Sequence, residues 1–264
     1  MSAELPPPRP AATLLLVRDA PELQVLMVKR AAAIAFGPGA LVFPGGKLDA
    51  GDHDPVWADH ATGWAEIPAD QRAHRIAAIR EVYEDAGVLV ARDAAGELFH
   101  GDEASADHRE SVNRNERTFL GLVVETGLKL DLAALTLYAH WVPPAILAVR
   151  YDTRFFIAEA HSRQDAVHDG SETVSSEWIA PAEALRLADA GERELMFPTR
   201  MNLKLLAEAA SANDAIARAR ARTIVSVTPR VEVRAEGRFL VLPPEAGYGP
   251  FAERLPDKMV RAGS

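Results

Sequence analysis

The chain has 264 residues, a net charge of −9 and no cysteine. The acidic balance argues against nonspecific nucleic-acid binding, which needs basic patches that displace counterions. The absence of cysteine excludes disulfides, thiolate chemistry and a cysteine-based zinc site.

An apolar fraction of 48% and a charged fraction of 25% are ordinary for a globular protein. The length suits one large domain, or one domain with additions. The N-terminus, "MSAELPPPRPAATLLLVRD", lacks a basic leader with a long apolar run, so no signal peptide is expected. No apolar stretch approaches the about 20 residues that span a bilayer. The C-terminal "VRAGS" is neither a peroxisomal nor a lipidation signal. The expected location is cytoplasmic, with no membrane and no nucleic acid as partner.

Residues 1–10 are proline-rich and read as a flexible, extended N-terminus. "ATLLLVRD" (12–19) and "LQVLMVKR" (23–30) read as two strands of a hairpin turning at Asp19–Glu22. A short strand is expected at 40–43, between glycines and prolines. Residues 53–68 show no clean periodicity and carry Pro55, Gly63, Pro68, Trp57 and Trp64. They read as a surface excursion pinned by aromatics. Asp70 is the expected N-cap of a helix running to Ala86, with Gly87 just beyond its end.

"VLV" (88–90) is strand-like, and 104–126 is expected to be helical. Strands follow at 135–142, 151–160 and 174–180, with a polar loop at 161–173. In "YDTRFFIA", Asp152 and Arg154 share one strand face and Phe155 takes the other. Pro181 opens a helix to about 190, and 198–210 forms another. The tail shows short strands over 222–242 with a turn at 235–237. The expected layout is a flexible 1–10, a main domain at 11–211 with an insertion at about 53–72, and an extension of helical and β character at 212–264.

The helix over 70–86 carries an unusual acidic face. Ile79, Val82, Tyr83 and Ala86 fall at i, i+3, i+4 and i+7 and make its apolar face. Glu81, Glu84 and Asp85 fall at i, i+3 and i+4 on another. Like charges at that spacing cost a few tenths of a kcal/mol. Acids in the last turn oppose the macrodipole at about 0.3–1 kcal/mol. Arg80, four residues before Glu84, offsets only part of this. A divalent cation would relieve both penalties, and carboxylate oxygens suit Mg²⁺ or Mn²⁺. An ordinary solvated acidic face is the competing explanation.

"FPGGKLDAGD" (43–52) followed by "REVYEDAGV" (80–88) resembles the Nudix box, G-x5-E-x7-R-E-U-x-E-E-x-G-U, with U apolar. Gly46 fits the opening glycine and Asp52 falls where the first glutamate belongs. Arg80, Glu81, Val82, Glu84, Asp85, Gly87 and Val88 fit the second half. Asp52 and Asp85 are each one methylene shorter than the pattern's glutamate. The spacing also departs: 27 residues, 53 to 79, separate Asp52 from Arg80, where the pattern has seven. A loop whose ends return close together accommodates the excess, because closure entropy grows slowly with length. A box split this way resembles one Nudix branch, the acyl-CoA diphosphatases of peroxisomal type. "LMVKRAAAIAFGPGALVFPGG" (26–46) resembles the leader of CoA diphosphatases in the family. Arg30, Ala31, Gly39 and Phe43 to Gly46 stand in register, and Ala35 replaces a second arginine.

The resemblance implies an α/β fold: the Nudix α/β/α sandwich, a mixed central sheet between helices. It implies an Mg²⁺- or Mn²⁺-dependent diphosphatase acting on a small-molecule diphosphate, with CoA or acyl-CoA as the leading class. ADP-ribose, nucleotide sugars and dinucleotides are the enzymatic alternatives, and a catalytically silent nucleotide sensor is the alternative of another class. Glu81, Glu84 and Asp85 are the implied metal ligands, joined by the main-chain carbonyl of Gly45. Glu81, Glu84 and Arg80 are the implied catalytic residues, with Asp52 supporting Arg80. Arg30, Gly39, Phe43 and Gly46 are the implied substrate contacts. The general base is left open between the box and the loop at 161–173, where His161, Asp165, His168, Asp169 and Glu172 stand, with Glu177 beyond. Glu172 is the first choice. A homodimer is the oligomer to be considered.

Overall fold

The computed structural model describes residues 6–31, 37–101, 104–147, 149–160 and 173–254, without the side chains of 104–107. The chain runs β1 (Arg9–Asp19), β2 (Leu23–Arg30), β3 (Leu41–Val42), β4 (Gly45–Lys47), α1 (Ala69–Ala86), β5 (Ala91–Arg92), α2 (Ala104–Asn113), α3 (Phe119–Thr126) and β6 (Lys129–Leu130). It continues through β7 (Thr136–Trp141), β8 (Tyr151–Glu159), β9 (Thr173–Ile179), α4 (Pro181–Asp189), α5 (Phe197–Leu206), α6 (Ala212–Ala221), β10 (Ser226–Val227), β11 (Arg230–Arg234), β12 (Gly237–Val241) and β13 (Ala252–Arg254).

The central sheet has eight strands in the order β10-β7-β8-β1-β2-β3, with β4 paired to β1 and β9 paired to β2. It is mixed. β1 and β8 run parallel from Arg9↔Tyr151 to Val17↔Glu159, and β10 runs parallel to β7, while the other pairs are antiparallel. Alternation along β1 sends Leu14 and Leu16 to one face and Leu15 and Val17 to the other, all four fully buried. The first face packs with α1, α3 and the 50–67 segment, and the second with α5 and α6. This is the α/β sandwich, with helices on both faces of a mixed sheet.

The apolar stripe of α1 is buried as its spacing requires: Ile79, Val82, Tyr83 and Ala86 are each at most 1% exposed. Gly87 ends the helix in the left-handed region (φ 73°), its N–H donating to Tyr83 O at 2.9 Å. One expectation about α1 needs correction. Pro68, not Asp70, is the N-cap, and Asp70 turns its carboxylate to Arg154 of β8 at 2.8 Å. Arg75, unremarked in the sequence, is buried and donates to the carbonyls of Leu132 and Leu135.

The 53–68 segment keeps most of its residues at least partly exposed and is pinned by Trp57. Two short 3₁₀ turns, 50–53 and 55–58, lead into it. Trp57 is 1% exposed, donates Nε1–H to Gly51 O at 2.9 Å and packs against Phe119. Thr62 N–H donates to Leu130 O, and Leu130 N–H to His60 O, both at 2.9 Å. The segment is thereby stitched to β6. Trp64 stays partly exposed beneath the guanidinium of Arg72.

Other boundaries move. The single helix over 104–126 is two, because Asn115 adopts positive φ and Thr118 caps a new start, accepting from Gly121 N–H. "VLV" is not a strand; the pairing begins at Ala91. The 198–210 helix ends at Leu206. After residue 211, α6 packs into the second core and β10 adds an eighth strand. The tail therefore completes the sandwich before the small β11-β12-β13 sheet forms. Ser226 Oγ lies 2.6 Å from His140 Nδ1, whose Nε2 lies 2.5 Å from Asp152 Oδ1, which ties β10 to β7 and β8.

Candidate active site

The site forms where β4 passes beneath the C-terminal half of α1. Gly45 pairs with Thr13 and Gly46 with Ala12. Neither glycine has positive φ; close approach explains both. A Cβ on Gly45 would lie 2.6 Å from Ala12 O, inside the neighbouring strand. A Cβ on Gly46 would lie within the Glu81 carboxylate. The bare strand lets an acidic helix face rest directly on the sheet.

Arg80 is the hub. It is buried, and all five of its N–H groups are engaged. Nε donates to Asp52 Oδ1 at 3.0 Å and Nη2 to Asp52 Oδ2 at 3.0 Å. Nη2 also donates to Lys47 O at 2.9 Å, while Nη1 donates to Glu81 Oε1 at 2.9 Å and Glu84 Oε2 at 3.0 Å. Such forked pairing is the geometry a guanidinium is built for. Asp52 is 2% exposed and also accepts Asp49 N–H at 2.7 Å. That amide holds the carboxylate in position, so the shorter aspartate reaches Arg80 despite the long insertion. Burial alone would pull the Arg80 pKa down, but the bonds to Asp52 and the charges of Glu81, Asp52 and Glu84 raise it above its ordinary value.

The acids bear the opposite stress. Burial pushes Glu81 up to about 8, and the charges of Asp85 and Glu84 add to this against Arg80. Burial also raises Glu84. Asp85 Oδ2 accepts Gly45 N–H at 3.3 Å. Three carboxylates thus crowd one helix face with one guanidinium among them, a cluster whose charge a divalent cation would neutralise. Among the described residues, no three acids or imidazoles are already gathered into a closed cation cage. The donor set nevertheless fits a hard ion: oxygen ligands only, poorly neutralised, over a strand with no side chain in the way.

The remaining sequence-derived positions are scattered. Arg30 ends β2, opposite Thr173 of β9 across a bulge. Its Nε is buried without a hydrogen-bond partner among the described residues. Thr173 Oγ1 donates to Asp85 O at 3.2 Å, which places that end of β2 beside the end of α1. Gly39 adopts φ +75° with open space around it. Phe43 is 3% exposed and packs in the second core, so its side chain offers a ligand almost no surface, a correction to its expected role. Glu177 pairs with Arg193 at 3.5 Å. His161, Asp165, His168, Asp169, Glu172 and Ala35 lie outside the described residues. Sequence reading missed Asp49 and the Lys47 carbonyl. The D-x-x-D spacing of Asp49 and Asp52 was the available signal for the first.

The NUDT19 Nudix domain model matches residues 59–204. The chain belongs to the Nudix hydrolase family. The chain is 27% identical to acyl-coenzyme A diphosphatase NUDT19 of Xenopus laevis over 62% of its length, and 26% identical to that of Homo sapiens over 95% of it. The chain spans 54% of the length of the first relative and 78% of the second. The crystal structure of a Nudix hydrolase from Alicyclobacillus acidocaldarius superposes with a TM-score of 0.71 at 28% identity, covering 80% of this chain and 96% of that one. Among the described residues no helix is long and apolar enough to cross a membrane.

Proposed function

We propose that this Nudix domain is a metal-dependent diphosphatase that cleaves CoA or an acyl-CoA at its diphosphate, giving 3′,5′-ADP and a phosphopantetheine product. The observation that carries the hydrolase reading is the Asp52–Arg80 fork. It joins the two halves of the split box, with Asp85 bonded to Gly45 N–H and Glu81 and Glu84 bonded to Arg80. Support for the substrate class comes from the register of Arg30, Gly39 and Gly46 in the leader, and from the likeness to acyl-coenzyme A diphosphatases.

In this reading Glu81, Glu84, Asp85 and the Gly45 carbonyl would hold Mg²⁺ or Mn²⁺. Such an ion, when bound, screens the phosphate charge and acidifies water. Arg80 holds Glu81 and Glu84 on one side and is itself fixed by Asp52, so the acids keep their orientation. Arg30 brings an unpaired buried N–H to an anionic group of the substrate. Gly46, bare of a side chain, leaves room for the Glu81 carboxylate against the sheet, and Glu172 or a carboxylate of the box takes the proton of the attacking water. The water oxygen bonds to phosphorus as the P–O bond to the leaving phosphate breaks.

The test is product analysis by mass spectrometry with Mg²⁺ or Mn²⁺ on CoA, an acyl-CoA, ADP-ribose, a nucleotide sugar and a dinucleotide. Release of 3′,5′-ADP from CoA or its ester is expected. Cleavage of ADP-ribose with CoA esters untouched contradicts the substrate class. Tight binding without turnover of any of them marks a silent sensor.

A further inference from the structure

The last turn of α1 contains no basic residue of its own, yet it carries Glu84 and Asp85, whose charge opposes the helix dipole. The cation comes from another helix. Arg109 of α2 reaches across and donates Nε–H to Glu84 O at 3.1 Å and Nη2–H to the same oxygen at 2.9 Å. Asn113, one turn later on α2, adds Nδ2–H to that carbonyl at 3.3 Å. The next carbonyl, Asp85 O, accepts the Thr173 hydroxyl, and the preceding one, Tyr83 O, accepts Gly87 N–H. Three successive carbonyls that a helix end leaves open are therefore met by α2, by β9 and by the C-terminal glycine.

Gly87 is part of this arrangement. A Cβ there would lie 3.2 Å from Arg109 Nη1, and its φ of +73° is one that side chains rarely adopt. The absent side chain lets the guanidinium sit against the helix end. The result is a fixed positive charge on the backbone of Glu84, whose side chain is meanwhile held from the other side by Arg80.

We propose that Arg109 is a positioning residue for the metal-binding acids. It locks the peptide that carries Glu84 and Asp85, and it supplies the positive charge that the acidic last turn lacks. This rests on the metal-site reading above. Arg109 touches neither substrate nor ion in this account; it acts through the helix end, as outer partners do when they orient a ligand.

The experiment is Mn²⁺ titration followed by electron paramagnetic resonance, without substrate, on the unmodified chain and on Arg109→Gln, Arg109→Lys and Asn113→Ala. Alongside it, hydrogen exchange of the Gly87 amide is measured without metal. Arg109→Gln is expected to weaken Mn²⁺ binding by about 10-fold or more. Arg109→Lys, keeping the charge but losing the two-pronged bond, should recover part of this. Asn113→Ala should stay within about 3-fold of the unmodified chain, since it removes one long neutral bond. An unchanged dissociation constant in Arg109→Gln, or equal weakening by Asn113→Ala, overturns the proposal. Should Arg109→Gln not fold, Arg109→Lys decides: binding weaker than the unmodified chain supports it, and equal binding overturns it. Should the unmodified chain bind no Mn²⁺, the metal reading fails by itself. Exchange at Gly87 then judges Arg109: faster in Arg109→Lys supports positioning, and unchanged refutes it.

Discussion

Asp52→Asn removes one charge from the junction of the split box while preserving the shape of the side chain. The carboxylate accepts three donors: Arg80 Nε at 3.0 Å, Arg80 Nη2 at 3.0 Å and Asp49 N at 2.7 Å. An amide has one acceptor oxygen. In its better orientation that oxygen takes the Oδ2 place and keeps Asp49 N–H and Nη2–H, while its NH₂ faces Arg80 Nε–H, donor against donor. A lost charged hydrogen bond costs about 1.5–3 kcal/mol. Breaking a buried ion pair outright costs about 3–5 kcal/mol. Arg80 retains Glu81 and Glu84, so about 3 kcal/mol is expected, or roughly 6–12 °C in Tm for a chain of this size. The assay is urea and thermal unfolding of the metal-free protein at pH 7. A double-mutant cycle with Arg80→Met isolates the pair, since Asp52→Asn should cost much less once Arg80 is gone. A loss below 0.5 kcal/mol by rough count, or additivity in the cycle, would refute the claim that this fork closes the site.

Gly46→Ala drives a methyl group into the Glu81 carboxylate and should lower Mn²⁺-dependent kcat/KM by about 10-fold or more, measured on whichever diphosphate is cleaved. Arg75→Met strips buried donors from the Leu132 and Leu135 carbonyls and should cost about 3 kcal/mol in urea unfolding. His74 is held down to about 4, first by burial and then by Arg154, against the Asp70 carbonyl and the charge of Asp152. The unfolded chain binds a proton there that the folded one refuses. Stability from this group is complete above about pH 6.5 and is lost as pH falls towards 4. After allowance for its partial exposure the effect is about 1 kcal/mol. His74→Gln should flatten the pH profile of unfolding in that window.

The sandwich was legible where side-chain period reports burial directly. β2, β7, β8 and β9 and the apolar face of α1 lie within a residue or two of their expected bounds, while β1 starts three residues early, at Arg9, inside the stretch expected to be flexible. The box itself was legible as residue types in order. What made Gly45 and Gly46 necessary was not, because the atoms they avoid, Ala12 O and the Glu81 carboxylate, belong to strands and helices far away in sequence. The same holds for Trp57. Its neighbours offered no periodic pattern, and it is buried in the first core, packed on Phe119 and bonded to Gly51 O. The break between α2 and α3 depends on Asn115 taking positive φ, a backbone choice that the helical character of the residues on either side conceals. Arg75 and Arg109 stand in no motif that the sequence displays. Their partners are backbone carbonyls of other segments, and carbonyls leave no mark in a sequence.

The account turns on one site assembled from both halves of the box. The direct measurement is anomalous X-ray scattering from crystals soaked with Mn²⁺ and a nonhydrolysable diphosphate. The account predicts manganese peaks bonded to Glu81, Glu84 and Asp85 beside the Gly45 carbonyl, with Asp52 still paired to Arg80. Manganese bound elsewhere, or none at these carboxylates while the diphosphate is bound, would contradict it.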